Sequence, residues 1–291
     1  MSSLASEAEL LASGSLEIGA HRPQDAREIA ALLPSGTPVY VNHLPRHRLL
    51  DTVSTLVAVR KAGLEPVPHI AARRIQNQAE LREYIARATG EAGVQKALIL
   101  GGDQPQAAGP YADGASLLRE GFLAGSGLRE IALPGYPEGH PRITTAELER
   151  AFAEKLMLAA AHGLGTYMVT QFSFAPARIV EYCTRMARQA PGIPIYVGLA
   201  GPTSPVALLR FAQRCGVSAS LRALGTQGMN AVRLVTHTDP VDQLTSIARY
   251  CASHADCNVV GIHLFTFGGV AAAANWINAQ LSQDSAHRVP A

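Results

Sequence analysis

The stretch GLEPVPHIAARRIQNQAELREYIARATGEAGVQKALILGGDQP, residues 63–105, holds one complete strand–helix–strand unit. Residues 65–70 (EPVPHI) and 97–101 (ALILG) are short, largely apolar runs, as expected of parallel strands buried on both faces. Between them, Asn77 followed by Glu80 makes a capping-box pattern, and Leu81, Tyr84 and Ile85 then fall on one helical face. Parallel strands cannot be joined by a tight hairpin. They need a crossover, and a helix is the usual one.

Working outward, the unit recurs. Further strands are expected at 15–18 (SLEI), 39–42 (VYVN), 131–135 (IALPG), 167–171 (YMVTQ), 195–199 (IYVGL) and 259–264 (VVGIHL). A helical segment follows each. Residues 46–62 place Leu49, Val53, Leu56 and Val57 at helical spacing and stop at Gly63. Thr144 with Glu147 opens a helix that turns Leu148, Phe152 and Leu156 to one side and stops near Gly163. Ser204–Pro205 opens another that ends at Gly216, Asp239–Pro240 opens the next, and the last covers 270–281 with Trp276 and Ile277 inward. The segment 217–238 has no clear period, with room for an extra short helix. Eight such units in one chain predict an α/β fold, a closed (β/α)8 TIM barrel. An open doubly wound sheet is the alternative, but it usually carries a nucleotide loop, and the chain has no GxGxxG or GxxxxGK[ST]. We expect residues 1–291 to form a single catalytic domain, with 1–12 and 283–291 flexible.

Composition narrows the function. The 291 residues are 47% hydrophobic and 16% charged, with a net charge of +2. No basic stripe or Lys/Arg block appears, and aromatic residues are only 5%, so nucleic acid is not an expected partner. No apolar run approaches the roughly 18 residues that span a bilayer, and the first residues lack a basic segment followed by an apolar one, so neither a membrane partner nor a signal peptide is expected. Cys183, Cys215, Cys251 and Cys257 are scattered without a CxxC pair, which suits a reduced, cytoplasmic protein. Cys251, His254 and Cys257 form CxxHxxC, but a structural zinc usually needs four ligands, so no metal is assigned. No GxSxG elbow marks a serine hydrolase.

In barrels of this type the chemistry sits at the C-terminal ends of the strands. Polar residues collect there: Glu17, Asn42, His43, His69, Asp103 in GGDQP, Tyr136, Glu138 and His140 in GYPEGHP, Gln171 and His263, with Gly198 and Gly201 framing the loop after strand seven. Taken singly, each has a plain reading. Asp103 fits a turn beside two glycines, Gln171 could satisfy backbone groups, and a lone histidine is more often structural than catalytic. Glu17 is different, because an unpaired carboxylate in an apolar strand is costly. Their convergence on one mouth is what favours a site.

These residues also carry a resemblance. Over about residues 15–282 the chain resembles bacterial methylenetetrahydrofolate reductase. GLEPVPHI and KALILGGDQP are similar to that family's proline–histidine strand and Arg-Gly-Asp loop. GYPEGHP (135–141) resembles its Tyr-Pro-Glu-x-His-Pro, TQFSF (170–174) its Thr-Gln-Phe-Phe-Phe, and SLEI (15–18) its Ser-Phe-Glu-Phe. The resemblance implies a flavin-dependent oxidoreductase interconverting 5,10-methylenetetrahydrofolate and 5-methyltetrahydrofolate, with FAD (or, less in keeping with the family, FMN or no flavin) and NAD(P)H as co-substrate. It implies that Glu17 is the general acid, that Asp103 stabilises the cationic folate intermediate, and that Gln171 binds the pterin or the nicotinamide. Asn42, His69, Gly102, Asp103, Tyr136 and His140 would surround the flavin. A homo-oligomer is a further expectation from the family. The departures are specific. Gly101 stands where the family has arginine, Ala160 aligns with its helical lysine (with Lys155 or Arg150 as neighbouring substitutes), Pro205 or a neighbour replaces an aromatic residue, and Gly268-Gly269 replace a polar pair. They motivate the alternative of a non-catalytic folate-binding or accessory protein of a methyl-transfer system. An aldolase would want a Schiff-base lysine at a strand end. Lys96 lies at the wrong end, and Lys61 and Lys155 read as helical.

Overall fold

The structure, a computed structural model, describes residues 6–43, 48–215, 217 and 240–287. Eight parallel strands close into a barrel in chain order: β1 (Ser15–Ile18), β2 (Pro38–Val41), β3 (Glu65–Ala71), β4 (Lys96–Leu100), β5 (Glu130–Gly135), β6 (Gly165–Thr170), β7 (Ile195–Ala200) and β8 (Val259–Phe265). Each expected strand is present within two residues of its expected limits. The ring shuts where Ser15 and Leu16 pair with His263 and Leu264. Outside it lie α1 (Glu7–Ala12), α2 (Pro23–Ala30), α3 (Val53–Lys61), α4 (Gln78–Ala92), α5 (Gly114–Arg119), α6 (Thr145–Ala161), α7 (Pro176–Gln189), α8 (Pro205–Cys215), α9 (Val241–Ser253) and α10 (Val270–His287). Residues 218–238, the stretch without a clear period, lie outside the described residues, as do Gly216 and Asp239.

Strand alternation splits the core in two. Outward residues such as Leu16, Val39, Ile99, Ile131 and Val197 meet the helices. Inward, Tyr40, Val67, Leu98, Ala132, Tyr167 and Val169 fill the barrel. This interior is unusually polar for a packed barrel. The Tyr40 and Tyr167 hydroxyls lie 2.9 Å apart, Ser15 Oγ meets His263 Nδ1 at 2.9 Å, and the Tyr40 ring stands edge-on between His69 and His263. At the base, Lys96 reaches Glu65 and Glu130, which fixes its ammonium in a structural role at the strand start.

Three elements depart from expectation. Residues 7–12, within the segment expected to be flexible, form α1, because Ser6 and Glu9 make a complete capping box and Leu10 and Leu11 are buried against the barrel. At α4, Asn77 Oδ1 accepts from Glu80 N as expected, but Glu80 reaches back to the backbone N–H of Gln76, one residue earlier. The third departure matters most for function. Helix α6 has the predicted capping box at Thr144 and Glu147, yet Ala159 is its only buried residue. Its apolar face lines a cavity with Leu148, Phe152 and Leu156, while Phe152 and Leu156 also pack on the core and stay only partly buried.

Candidate active site at the barrel mouth

Two features make up the mouth: a ring of polar residues at the strand ends, and a cavity of about 860 Å³ that runs from the ends of β4 and β5 out to α6 and α7 and whose lining does not include Glu17, Asn42, His69, Asp103 or Gln171.

Glu17 belongs to the ring. It points inward from β1, in register with Tyr40, and burial pushes its carboxyl up to about 7 against a hydrogen bond from the Thr266 backbone. Thr266 also donates its hydroxyl to the Glu17 carbonyl at 3.0 Å, so the β8 end holds the β1 end in place. Among the described residues no ion pair reaches this carboxylate. A carboxyl group that is neutral near pH 7 with no cation beside it is a competent proton donor.

Asp103 sits exposed after β4, and its partner is one that sequence reading missed. Arg73 and Arg74 form a single turn of 3-10 helix after β3, with Ala72. The Arg74 guanidinium donates to the Asp103 carboxylate and to the carbonyl of His43, and its side chain is only 9% exposed. Arg73 donates to the carbonyls of Gln104 and Ala112 at 3.0 and 2.7 Å, while its own N–H meets the Gly101 carbonyl. The loop after β4 is thus held by two arginines from the loop after β3. Gly101 carries no charge, but cations stand beside it in space. The signal was present in the sequence: a charged pair directly after a strand, at the C-terminal end where barrel sites form.

The other candidates divide between the two features. Gly102, Tyr136, Glu138 and His140 line the cavity. Gly102 has φ +94°, a conformation that L side chains rarely adopt. Tyr136 stands edge-on to His140 with ring centres 5.3 Å apart; burial raises its hydroxyl to about 12, and burial with Arg142 and Arg73 nearby lowers His140. His69 lies within the barrel and not in the cavity, packed on Tyr40, held neutral by burial, which lowers it to about 3. Its Nε2 has no partner among the described residues. Gln171 is half-buried, with Oε1 accepting from Phe172 N at 3.3 Å. Asn42 accepts from Ala20 N at 3.3 Å, which ties it to the turn after β1.

The cavity lining is mixed in charge: Arg73, Arg142, Lys155, Arg178 and Arg185 line it together with Asp113, Glu138, Glu149 and Glu154. Lys155 is the notable one. Burial lowers it to about 8, opposed by Asp113. Ala160 is exposed and absent from the lining, and so is Arg150. Of the residues considered as substitutes for a helical lysine, Lys155 is the one in the cavity.

The sequence profile of methylenetetrahydrofolate reductase matches residues 45–278. The chain belongs to the methylenetetrahydrofolate reductase family. Among solved structures, a Clostridium thermocellum protein that binds two copies of 5-methyl-5,6,7,8-tetrahydrofolic acid superposes with a TM-score of 0.62 at 12% identity, covering 92% of this chain and 95% of that one. A Burkholderia cenocepacia protein provisionally named a phosphonomutase gives a TM-score of 0.52 at 12% identity, covering 97% and 100%. At such identity these likenesses concern the barrel alone. No helix among the described residues is long and apolar enough to cross a membrane, and no cluster of three or more His, Cys, Asp or Glu among them could hold a metal.

Proposed function

We propose that this chain is a flavin-dependent oxidoreductase that interconverts 5,10-methylenetetrahydrofolate and 5-methyltetrahydrofolate with NAD(P)H as the nicotinamide co-substrate. The observation that carries the reading is Glu17: a carboxyl raised to about 7 at the mouth of a barrel of this family. Opening the five-membered folate ring needs a proton on the departing amine nitrogen, and a neutral Glu17 donates one.

The residues present fit FAD. The cavity volume lies in the range of small-molecule sites, about 300–1,000 Å³, and its five cationic side chains outnumber the four acidic ones, Asp113, Glu138, Glu149 and Glu154, which leaves positive charge for a diphosphate. Gly102, Tyr136 and His140 would hold the flavin end, with Lys155 and Arg73 on the diphosphate. When bound, the flavin supplies the hydride chemistry and the protein supplies orientation and charge. Asp103 balances positive charge that develops on the folate, Arg74 holds its carboxylate in position, and Gln171 offers an amide to the pterin or the nicotinamide. The folate bound by the Clostridium thermocellum barrel agrees with a folate ligand here.

The test is an absorbance spectrum of the purified protein reconstituted with FAD, with NADH or NADPH and then methylenetetrahydrofolate added anaerobically. A flavin band that bleaches with the nucleotide and returns with the folate is expected. A protein that binds neither FAD nor FMN refutes the reading. It would favour a second one, a folate-binding or accessory role in methyl transfer, motivated by Gly101 and by Gly268-Gly269, where the family carries polar residues.

A further inference from the structure

Away from the mouth, the end of α9 and the turn that joins it to β8 at Val259 read YCASHADC (250–257). Cys251 sits in the last turn of α9 and Cys257 in the turn that follows. Their Sγ atoms lie 2.9 Å apart. Non-bonded heavy atoms usually keep about 3.5–4.0 Å, and a disulfide closes to about 2.05 Å, so the two sulfurs stand inside ordinary contact and short of a bond. The turn is built to hold them there: Cys257 N donates to the His254 carbonyl at 3.0 Å, and Asn258 Nδ2 donates to the Ile193 carbonyl at 2.9 Å. Cys251 is buried and Cys257 only partly so, which leaves one sulfur reachable by a small oxidant and the other sheltered behind it.

We propose that Cys251 and Cys257 are a thiol modification site that a peroxide oxidant converts to an intramolecular disulfide. The Cys257 thiolate attacks the peroxide O–O bond, giving a sulfenic acid and, after protonation, one water. Cys251, giving up its proton, attacks that sulfur. The S–S bond forms, the S–O bond breaks and the second water leaves. Two thiols lose two electrons and two protons to one peroxide. The local groups favour Cys257 as the first nucleophile, since it is the less buried of the two and the sulfur–sulfur contact with Cys251, together with the Val259 backbone, holds it below the usual thiol range. Cys183, close enough to interact with both, is buried in α7 and pushed up to about 12, which leaves it protonated. The bridge would tie the end of α9 to the start of β8. The proposal is independent of the folate reading.

The test is intact-mass spectrometry and thiol counting on the full-length reduced protein after treatment with hydrogen peroxide and quenching. The expected product has lost about 2 Da and shows two thiols fewer after denaturation. Peptide mapping should join Cys251 to Cys257, and dithiothreitol should reverse the change. C251S and C257S should each abolish the 2 Da loss, and C183S should retain it. Four thiols persisting in the wild type, oxygen adducts without a cross-link, or a link through Cys183 would each overturn the assignment.

Discussion

Replacing Glu17 with Gln keeps the shape of the side chain and removes its proton. With a carboxyl at about 7, the acid form makes up about nine tenths of the protein at pH 6, a tenth at pH 8 and a hundredth at pH 9. Reoxidation of the reduced enzyme by methylenetetrahydrofolate, followed by stopped-flow absorbance, should therefore fall about tenfold per pH unit above 7, while reduction by the nicotinamide shows no such limb. In Glu17→Gln the folate half-reaction should be lost and the nicotinamide half-reaction retained. The same shift is a stability statement. The folded state binds the Glu17 proton more tightly than the unfolded state, whose value is near 4.5. The full contribution is present below pH 4.5, is lost as pH rises toward 7, and stays lost above it. The difference is about 3 kcal/mol, an upper value because Glu17 is half-buried rather than sealed from solvent. Wild type should therefore lose up to that amount relative to Glu17→Gln between pH 4.5 and pH 8 in denaturant titrations. A folate half-reaction flat from pH 6 to 9, or loss of both half-reactions together in a folded Glu17→Gln, would refute the assignment of this carboxyl as the proton donor.

Other expectations follow from the same geometry. Lys155→Met should weaken FAD binding by about 10–100-fold, the worth of one charge-assisted contact, and wild-type affinity should decline above pH 8, where Lys155 loses its proton; flavin fluorescence titration measures both. Arg74→Ala removes the partner of Asp103 and of the His43 carbonyl, and should cost about 1–3 kcal/mol in denaturant titrations and slow the folate half-reaction more than the nicotinamide one. Gly198→Ala would place a Cβ 2.1 Å from the Thr170 carbonyl oxygen and 2.7 Å from the Phe265 ring, so the β6–β7 contact must open. Overpacking of that kind should lower the thermal midpoint by roughly 5–10 °C, and an unchanged scanning-calorimetry trace would refute it.

The strands were legible because burial on both faces leaves a direct trace in composition. SLEI, ALILG and IALPG cannot be read as exposed loops, and helices with caps such as Thr144–Glu147 separate them. Helix α1 was missed because six residues are too few to show a period; the capping pair Ser6 and Glu9 was its only mark. Of the proposed site residues, Glu17, Asp103 and Gln171 lie in or just after strands, where position along the chain specifies position in the fold. The cations were harder. Gly101 read as a lost charge because the comparison ran along the chain, whereas charges act through space. Arg73 and Arg74 come from the neighbouring strand, and Lys155 lies on a helix whose apolar stripe gives no hint that it faces a cavity. Periodicity told which face of α6 turns inward, but not that the same face also lines a cavity.

These placements bear on whether the divergent cations mean a lost catalyst. A binding protein descended from a reductase has no need of an isolated, desolvated carboxyl, and a change to glutamine at position 17 would relieve up to about 3 kcal/mol at neutral pH while keeping the hydrogen-bonding shape. The chain carries the acid at that cost, with the Thr266 backbone donating to it and no ion pair reaching it among the described residues. Meanwhile Arg73 and Arg74 grip the loop that carries Gly101 from the neighbouring strand. An acid kept on β1 at that cost, with cations from β3 holding the separate loop after β4, is what the proposed turnover requires.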